Sequence, residues 1–147
     1  MSPITVSADI DSPAHDVFAY ATDPSRFAEW QKGVVGGHLE ADGSPSVGDR
    51  CVTVRRIGFA TRPSTSELVR IDPPRSWRVH GIDGPIRAIV QVTVASLAAD
   101  RSRLTISIDF EGHGIGALLV PLTVRRQARS ELPTNVARLK ARLEGPS

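Results

Sequence analysis

Arg125 is the residue whose position suggests chemistry most directly. It lies between Leu122 and Ala128 on the apolar stripe of a predicted C-terminal helix. Because a guanidinium group cannot be left without a partner in an apolar interior, we expect one of three arrangements. Arg125 pairs with a strand carboxylate, reaches a cavity mouth, or holds a ligand carboxylate or enolate oxygen by two parallel hydrogen bonds. The simpler interpretation is a rotated helix that leaves Arg125 in water.

Other side chains on the same predicted inner surface pose a similar question. Thr53 and Arg55 share one face of a predicted strand, and Asn135 lies on the apolar face of the helix, where its amide could orient a ligand hydroxyl. Two aromatic residues on predicted strands complete the set. The candidate ligand-binding residues are Arg125, Asn135, Thr53, Arg55, Trp77 and Phe110.

A recognisable catalytic motif is absent from the sequence. There is no H-E-x-x-H, G-x-S-x-G or Walker motif, and the four histidines share no ligand spacing on a helix face. Cys51 lies on a predicted strand without an evident base, so we expect it to act as a small buried hydrophobic residue. The sequence therefore predicts no metal and no cofactor, and it leaves any catalytic residue unidentified.

These residues must be positioned by elements that the sequence also predicts. Apolar and polar residues alternate over Ile4–Ile10, as they do in a half-buried strand. Ser12 is a suitable helix N-cap and Pro13 suits the first helical position, which predicts a short helix over Ala14–Thr22.

A second short helix follows at once. Asp23 and Pro24 repeat the signal for a helix start, and Phe27 and Trp30 lie on one face of that helix. Because aromatic side chains contribute much of the energy of a protein core, we expect Trp30 to pack against the sheet edge rather than to bind a ligand.

After Trp30 the apolar period changes to two, which predicts a series of strands separated by turn residues. Their single apolar faces are typical of an open antiparallel sheet. The predicted strands are Val34–Glu40, Arg50–Phe59, Ser64–Ile71, Trp77–Ile82, Ile86–Leu97 and Leu104–Phe110.

The last third of the chain has a helical period. Pro133 lies inside this pattern and should kink or divide the helix near Leu132, and Gly145 with Pro146 should end it. The apolar stripe of the helix consists of Leu118, Leu122, Ala128, Leu132, Val136, Leu139 and Leu143.

Composition limits the class of protein. The 147 residues are 40% hydrophobic and 23% charged, with a formal net charge of +2 and one cysteine. No basic face with interleaved aromatics is visible, no apolar run is long enough to span a membrane, and the N-terminus lacks a signal pattern. We therefore expect one domain over residues 1–147, in the cytoplasm, as a monomer or homodimer that binds no nucleic acid.

Five phrases in this order resemble the START-like superfamily, also called SRPBCC or polyketide cyclase/dehydrase-like. They are Ser12–Phe18, Asp23–Trp30, Val47–Arg50, Ile71–Trp77 and Leu132–Lys140. The resemblance implies an α+β helix-grip fold, in which a curved antiparallel sheet surrounds a long C-terminal helix and two short helices follow the first strand. It also implies a cavity between sheet and helix.

Three functions are compatible with that resemblance. The first is a carrier or sensor that holds a small hydrophobic, lipid-like or polyketide-like molecule in the cavity. The second is a cyclase or dehydratase acting on such a ligand, although the inward-facing candidates include few groups able to transfer a proton. The third is a protein-interaction module. The fold alone does not decide between them, and we favour the carrier or sensor.

Overall fold

A computed structural model describes residues 3–115, 117 and 123–145 of the chain. One antiparallel sheet of seven strands has the order β1-β7-β6-β5-β4-β3-β2. The strands are β1 (Ile4–Ile10), β2 (Val34–Glu40), β3 (Arg50–Ile57), β4 (Ala60–Asp72), β5 (Ser76–Gly81), β6 (Ile86–Ala98) and β7 (Arg101–Gly112). The helices are α1 (Ala14–Ala21), a 3₁₀ helix (Pro24–Glu29) and a long helix, α2 (Arg125–Glu144).

The predicted helix-grip fold is confirmed, and several element ends are corrected. β4 begins at Ala60 rather than Ser64, and β7 begins at Arg101 rather than Leu104 because the β6–β7 pairing continues to that residue. Pro13 rather than Ser12 is the N-cap of α1, and Ser12 is buried with its carbonyl accepting a hydrogen bond from Ser102 Oγ. Phe59, predicted at the end of a strand, lies in the turn between β3 and β4. The predicted start of the second short helix is confirmed, since the Asp23 side chain accepts a hydrogen bond from the Ser25 N–H and Pro24 begins the 3₁₀ helix.

The two faces of the sheet differ in chemistry. On the outer face, hydroxyl groups pair across β1 and β7, as in Thr5 with Ser107 at 3.0 Å. On the inner, concave face, alternate residues such as Ile10, Leu104 and Val92 are buried. This alternation follows from the two-residue period of a strand, which places successive side chains on opposite faces. The core therefore lies between the concave face and the helices.

The 3₁₀ helix is held tightly against β2 and β3. A Cβ atom at Gly37 would lie 2.7 Å from the Pro24 carbonyl oxygen and 2.9 Å from that of Val52. Phe27 contacts Trp30 edge to face, with ring centroids 5.8 Å apart. Trp30 is buried at 3% exposure, which confirms its expected role in the core.

Helix α2 crosses the concave side and packs mainly on β1. Leu132, Val136 and Leu139 of the predicted stripe are buried, while Ala128 and Leu143 are half-buried. Leu118 and Leu122, the first two members of that stripe, lie outside the described residues. Pro133 does not divide the helix, which continues to Glu144 and ends at Gly145. Pro133 is exposed, so its ring faces water rather than the sheet.

Candidate functional site

Burial changes along the concave face, and this change locates the candidate site. Toward the end covered by α1, Val92, Val94 and Ile106 are buried. Toward the other end of the same strands, Ile108 and Phe110 are only half-buried. Ile86, Ala88 and Val90 on β6 share this partial exposure. The described elements thus leave apolar inner surface partly uncovered at the end of the sheet where β3 ends and β6 begins.

Arg55 lies on β3 at this less covered end. Its side chain is exposed to water, yet burial lowers the pKa of its guanidinium, while the nearby charge of Glu131 on α2 acts to raise it. Arg55 therefore lies on the inner surface of the sheet, close enough to α2 for the charge of Glu131 to act on its guanidinium.

The neighbours of Arg55 on the sheet are polar. Arg62 of β4 is directly opposite Arg55, and Ser64 is directly opposite Thr53. Thr53 and Ser64 are both half-buried. Two arginines opposed across a strand pair repel each other, so the arrangement is favourable for an anionic group placed between them.

Arg125 pairs with a strand carboxylate. Its Nη1 lies 2.7 Å from Asp109 Oδ1, and its side chain is 7% exposed against 32% for Asp109. Asp109 follows Ile108, the last residue of β7 that pairs with β1, so β1 does not lie beside Asp109. The alternative in which a rotated helix leaves Arg125 in water is wrong, because α2 turns this residue inward.

The remaining predicted site residues are dispersed. The Asn135 Oδ1 accepts a hydrogen bond from the Lys32 N–H at 3.1 Å, which joins α2 to the segment before β2. Trp77 is buried at 4% exposure, with its ring centroid 6.3 Å from that of Phe27. Phe110 lies beside Asp109 and is half-buried on the concave face. Thr53 and Arg55 thus share one face of β3, Phe110 follows the partner of Arg125 in the sequence, and Trp77 belongs to the core.

Two carboxylates near the arginines were not identified from the sequence. Glu131 lies between the stripe residues Ala128 and Leu132 on α2, and Asp109 is a polar residue of an amphipathic strand. The helical period could have indicated Glu131, which lies four residues before Asn135. The sequence pattern could not indicate Asp109 as a site residue, because the alternation of β7 assigns its side chain to the outer face.

The other groups considered from the sequence lie apart from Arg55. Burial raises the pKa of the Cys51 thiol to about 12, which keeps it protonated. His80 lies on the outer face, as its alternation with Trp77 and Val79 predicted, with Nε2 3.0 Å from Glu111 Oε1. No group of three or more metal-ligating side chains is arranged around a common point in the part of the chain that the structure describes.

A surface hollow of about 510 Å³ lies at the β1 edge, lined by Ser7, Ala8, Asp9, Arg103 and Lys140. Its charged groups bind one another, since Arg103 Nε lies 2.7 Å from Asp9 Oδ1 and Lys140 Nζ donates to the Asp9 carbonyl. These contacts join α2 to β1 and β7. The hollow therefore has a structural role, and the candidate site remains on the concave face.

The sheet, the long helix and the two short helices together form a helix-grip fold, which solved START superfamily structures share. Residues 1–144 match the family described as polyketide cyclase / dehydrase and lipid transport, and the chain belongs to that family. No curated protein matches the sequence. Among the described residues, no helix is both long enough and apolar enough to cross a membrane.

Solved structures with low sequence identity share the fold. A START superfamily protein from Mycobacterium smegmatis is 15% identical with a TM-score of 0.76, over 98% of this chain and 98% of that one. The ZhuI aromatase/cyclase from Streptomyces sp. R1128 is 14% identical with a TM-score of 0.71, over 97% and 96%.

A longer protein is also similar to this chain. The di-domain ARO/CYC BexL of the BE-7585A biosynthetic pathway is 15% identical with a TM-score of 0.76. The match covers 99% of this chain and 48% of BexL, so the chain spans about half the length of that protein. At these identities the similarity concerns the fold.

Proposed function

We propose that this protein is a carrier or sensor that binds a small apolar molecule bearing one anionic or strongly polar oxygen group. The ligand lies in a cavity between the concave face of the sheet and α2. The observation that supports this most directly is the position of Arg55, a water-exposed cation on the inner face of β3, opposite Arg62 and next to the half-buried pair of Thr53 and Ser64. A guanidinium group there can bind a carboxylate or enolate oxygen through two parallel hydrogen bonds.

The apolar part of the ligand contacts the half-buried residues of β6 and β7. Val90, Ile108 and Phe110 form an aliphatic and aromatic wall on the same concave face. Burying this surface against a ligand is favourable by about 25 cal/mol for each Å² of apolar area removed from water. The hydroxyl groups of Thr53 and Ser64 offer further hydrogen bonds beside Arg55.

A carrier or sensor requires only this combination of an apolar wall and a few polar groups. Acid-base catalysis would also require a group whose pKa is tuned to transfer a proton. Burial raises the pKa of Cys51 and lowers that of Arg55. A cyclase or dehydratase is the second candidate, favoured by the description of the family.

Calorimetric titration with decanoate and with decanol tests the anchor. We expect Arg55→Gln to weaken decanoate binding about tenfold, because a charge-assisted hydrogen bond contributes about 1.5–3 kcal/mol, and to change decanol binding little. Glu131→Gln should strengthen decanoate binding, since it removes a competing carboxylate. Arg78→Gln is the matched control, because Arg78 is an exposed arginine on the outer face of β5.

If Arg55→Gln lost equal affinity for decanoate and for decanol, Arg55 would not be an anchor for an anionic group. If the wild type bound neither probe, the proposed cavity would be contradicted. Native mass spectrometry of the purified protein then separates the two candidate functions. A bound molecule released unchanged supports a carrier or sensor. A poly-β-ketone probe released with the loss of water would support a dehydratase and overturn the carrier proposal.

A further inference from the structure

The turn between β3 and β4 exposes an aromatic ring completely. Phe59 has a relative exposure of 112%, against 68% for Ile115 and 64% for Val47, the next most exposed large hydrophobic residues among those described. Single exposed apolar residues are common on protein surfaces. The surroundings of Phe59 therefore decide whether its exposure has a function.

The hairpin that carries Phe59 projects from the body of the sheet. Residues 60–64 of β4 pair only with β3, because the pairing of β4 with β5 begins at Ser66 and Gly81. The Thr65 carbonyl still accepts a hydrogen bond from the Ile82 N–H, and the five residues before Thr65 extend about 16 Å at about 3.3 Å per residue. On the other side, β2 pairs with β3 as far as Arg55, and the Gly33 carbonyl accepts a hydrogen bond from the Arg56 N–H. Among the described elements, Phe59 thus lies at the end of a hairpin that extends past the neighbouring strands β2 and β5.

Positive charge surrounds this ring. The segment from residue 55 to residue 62 contains Arg55, Arg56 and Arg62 and no acidic residue. Arg55 and Arg62 are opposite each other on one face of the hairpin, and Arg56 points to the other face. Within the described residues, neither Arg56 nor Arg62 takes part in an ion pair with an Asp or Glu side chain. Their charges are therefore available to an external anion.

We propose that the β3–β4 hairpin tip docks this protein on an anionic lipid surface. Phe59 enters the interfacial region of the bilayer, where aromatic rings are favoured, and Arg56 and Arg62 contact anionic headgroups on either side of it. The inference does not depend on which ligand the concave face binds. It rests on the exposure of Phe59, the projection of the hairpin and the charges of Arg56 and Arg62.

A protein partner fits this surface less well. A specific protein interface buries about 800 Å² on each side, whereas the hairpin tip offers one aromatic residue on a narrow projection. A second copy of the chain would also oppose the same arginines to one another, which is unfavourable. A lipid surface requires neither a broad apolar patch nor a shaped partner, and its anionic headgroups complement the arginines.

Phe59→Trp and Val47→Trp form a matched pair of reporters, because both positions are exposed and Val47 lies between β2 and β3, at the opposite end of the sheet. The native tryptophans, Trp30 and Trp77, are buried and give a constant background. With vesicles of phosphatidylcholine and phosphatidylglycerol, we expect the emission of Phe59→Trp to shift to shorter wavelength. Val47→Trp should show no shift, and neither should Phe59→Trp with phosphatidylcholine alone.

Vesicle co-sedimentation measures the affinity. Phe59→Ala should bind vesicles about tenfold more weakly, since it removes the ring that the bilayer would bury. Arg56→Gln and Arg62→Gln should each bind about fivefold more weakly. Added salt should weaken wild-type binding, and Val47→Ala should bind like the wild type. The absence of wild-type binding to anionic vesicles overturns the proposal. Unchanged vesicle binding by Phe59→Ala also overturns the proposal. It is likewise overturned if Phe59→Ala loses self-association and the wild type does not bind vesicles.

Discussion

At the scale of single residues, the Asp109–Arg125 pair is expected to contribute most to stability among the ion pairs described above. Arg125 is nearly fully buried, and removing the carboxylate of a largely buried pair takes away part of the charge compensation of its partner. We predict that Asp109→Asn lowers the free energy of unfolding by about 3 kcal/mol, as measured by urea denaturation. The double variant Asp109→Asn with Arg125→Met should recover part of this loss, because it removes both charges.

The Asp9–Arg103 pair provides a matched control. Its N–O distance is also 2.7 Å, but the side chains are 34% and 53% exposed. Exposed pairs are screened by water and salt and contribute little, so Asp9→Asn should change stability far less than Asp109→Asn. Similar losses in both variants would contradict the importance assigned to burial.

Cys51 provides a second prediction at this scale. Burial raises the pKa of its thiol to about 12, so the folded protein should react slowly with a thiol-specific reagent at pH 8 and rapidly after denaturation. The pKa of an unfolded cysteine is about 8.5. Stability is therefore unaffected by Cys51 below that pH and falls as the pH rises from there toward 12. Rapid labelling of the folded protein would contradict its assigned place in the core.

At the scale of elements, the contact between the 3₁₀ helix and β2 depends on Gly37. A methyl group at this position meets backbone oxygens that cannot move aside easily. We predict that Gly37→Ala lowers the free energy of unfolding by about 1–3 kcal/mol through overpacking. Gly36→Ala is the control, because a Cβ atom there has no neighbour within 4 Å and Gly36 has no positive φ. Equal losses of stability for Gly37→Ala and Gly36→Ala in thermal denaturation would show that the close approach of the 3₁₀ helix to β2 at Gly37 is unimportant.

Much of the element order could be predicted from the sequence, because strand and helix periods are local properties. The predicted bounds of β1 and β2 agree with the structure, and the inward turn of Leu132, Val136 and Leu139 followed from helical spacing. The predicted N-cap of α1 was wrong, since the Pro13 carbonyl accepts the first helical hydrogen bonds while the Ser12 carbonyl accepts one from the distant Ser102. Local preference could not indicate that contact.

The candidate site was less accessible to sequence reasoning. Thr53 and Arg55 were placed together by strand alternation, and the structure adds the charge of Glu131 on α2, which acts on Arg55. The pairing of Arg125 with Asp109 required knowledge of how α2 crosses the end of β7, a relation between residues far apart in the fold. Side-chain partners across elements depend on tertiary geometry, which no local period describes.

At the scale of the whole molecule, the exposed carboxylates set the response to acid. Hydrogen bonds from Arg103, Tyr20, His80 and the Asp11 N–H lower the pKa values of Asp9, Glu29, Glu111 and Glu144, respectively. A pKa lowered by folding gives stability that is present above the unfolded value, about 4, and lost as the pH falls through the folded value. We predict a fall in the unfolding midpoint below about pH 4.

Salt provides the check on this acid response. Because these carboxylates are exposed, added salt should screen their charge interactions and make the stability curve flatter below neutral pH. Glu111→Gln should also flatten it, by removing one of the four groups. Identical curves for Glu111→Gln and the wild type would contradict the contribution assigned to the bond between Glu111 and His80.

The pairing of β1 with β7 has a consequence for synthesis on the ribosome. Thr5 and Ser107, which bond across these strands, are 102 residues apart. The chain is made from its N-terminus at about 5–20 residues per second, so β1 emerges several seconds before the strand that completes its hydrogen bonds. During that interval the backbone groups of β1 that bond to β7 have no partner in the sheet. A nascent chain arrested before residue 101 should therefore retain chaperones, and release should follow the emergence of β7.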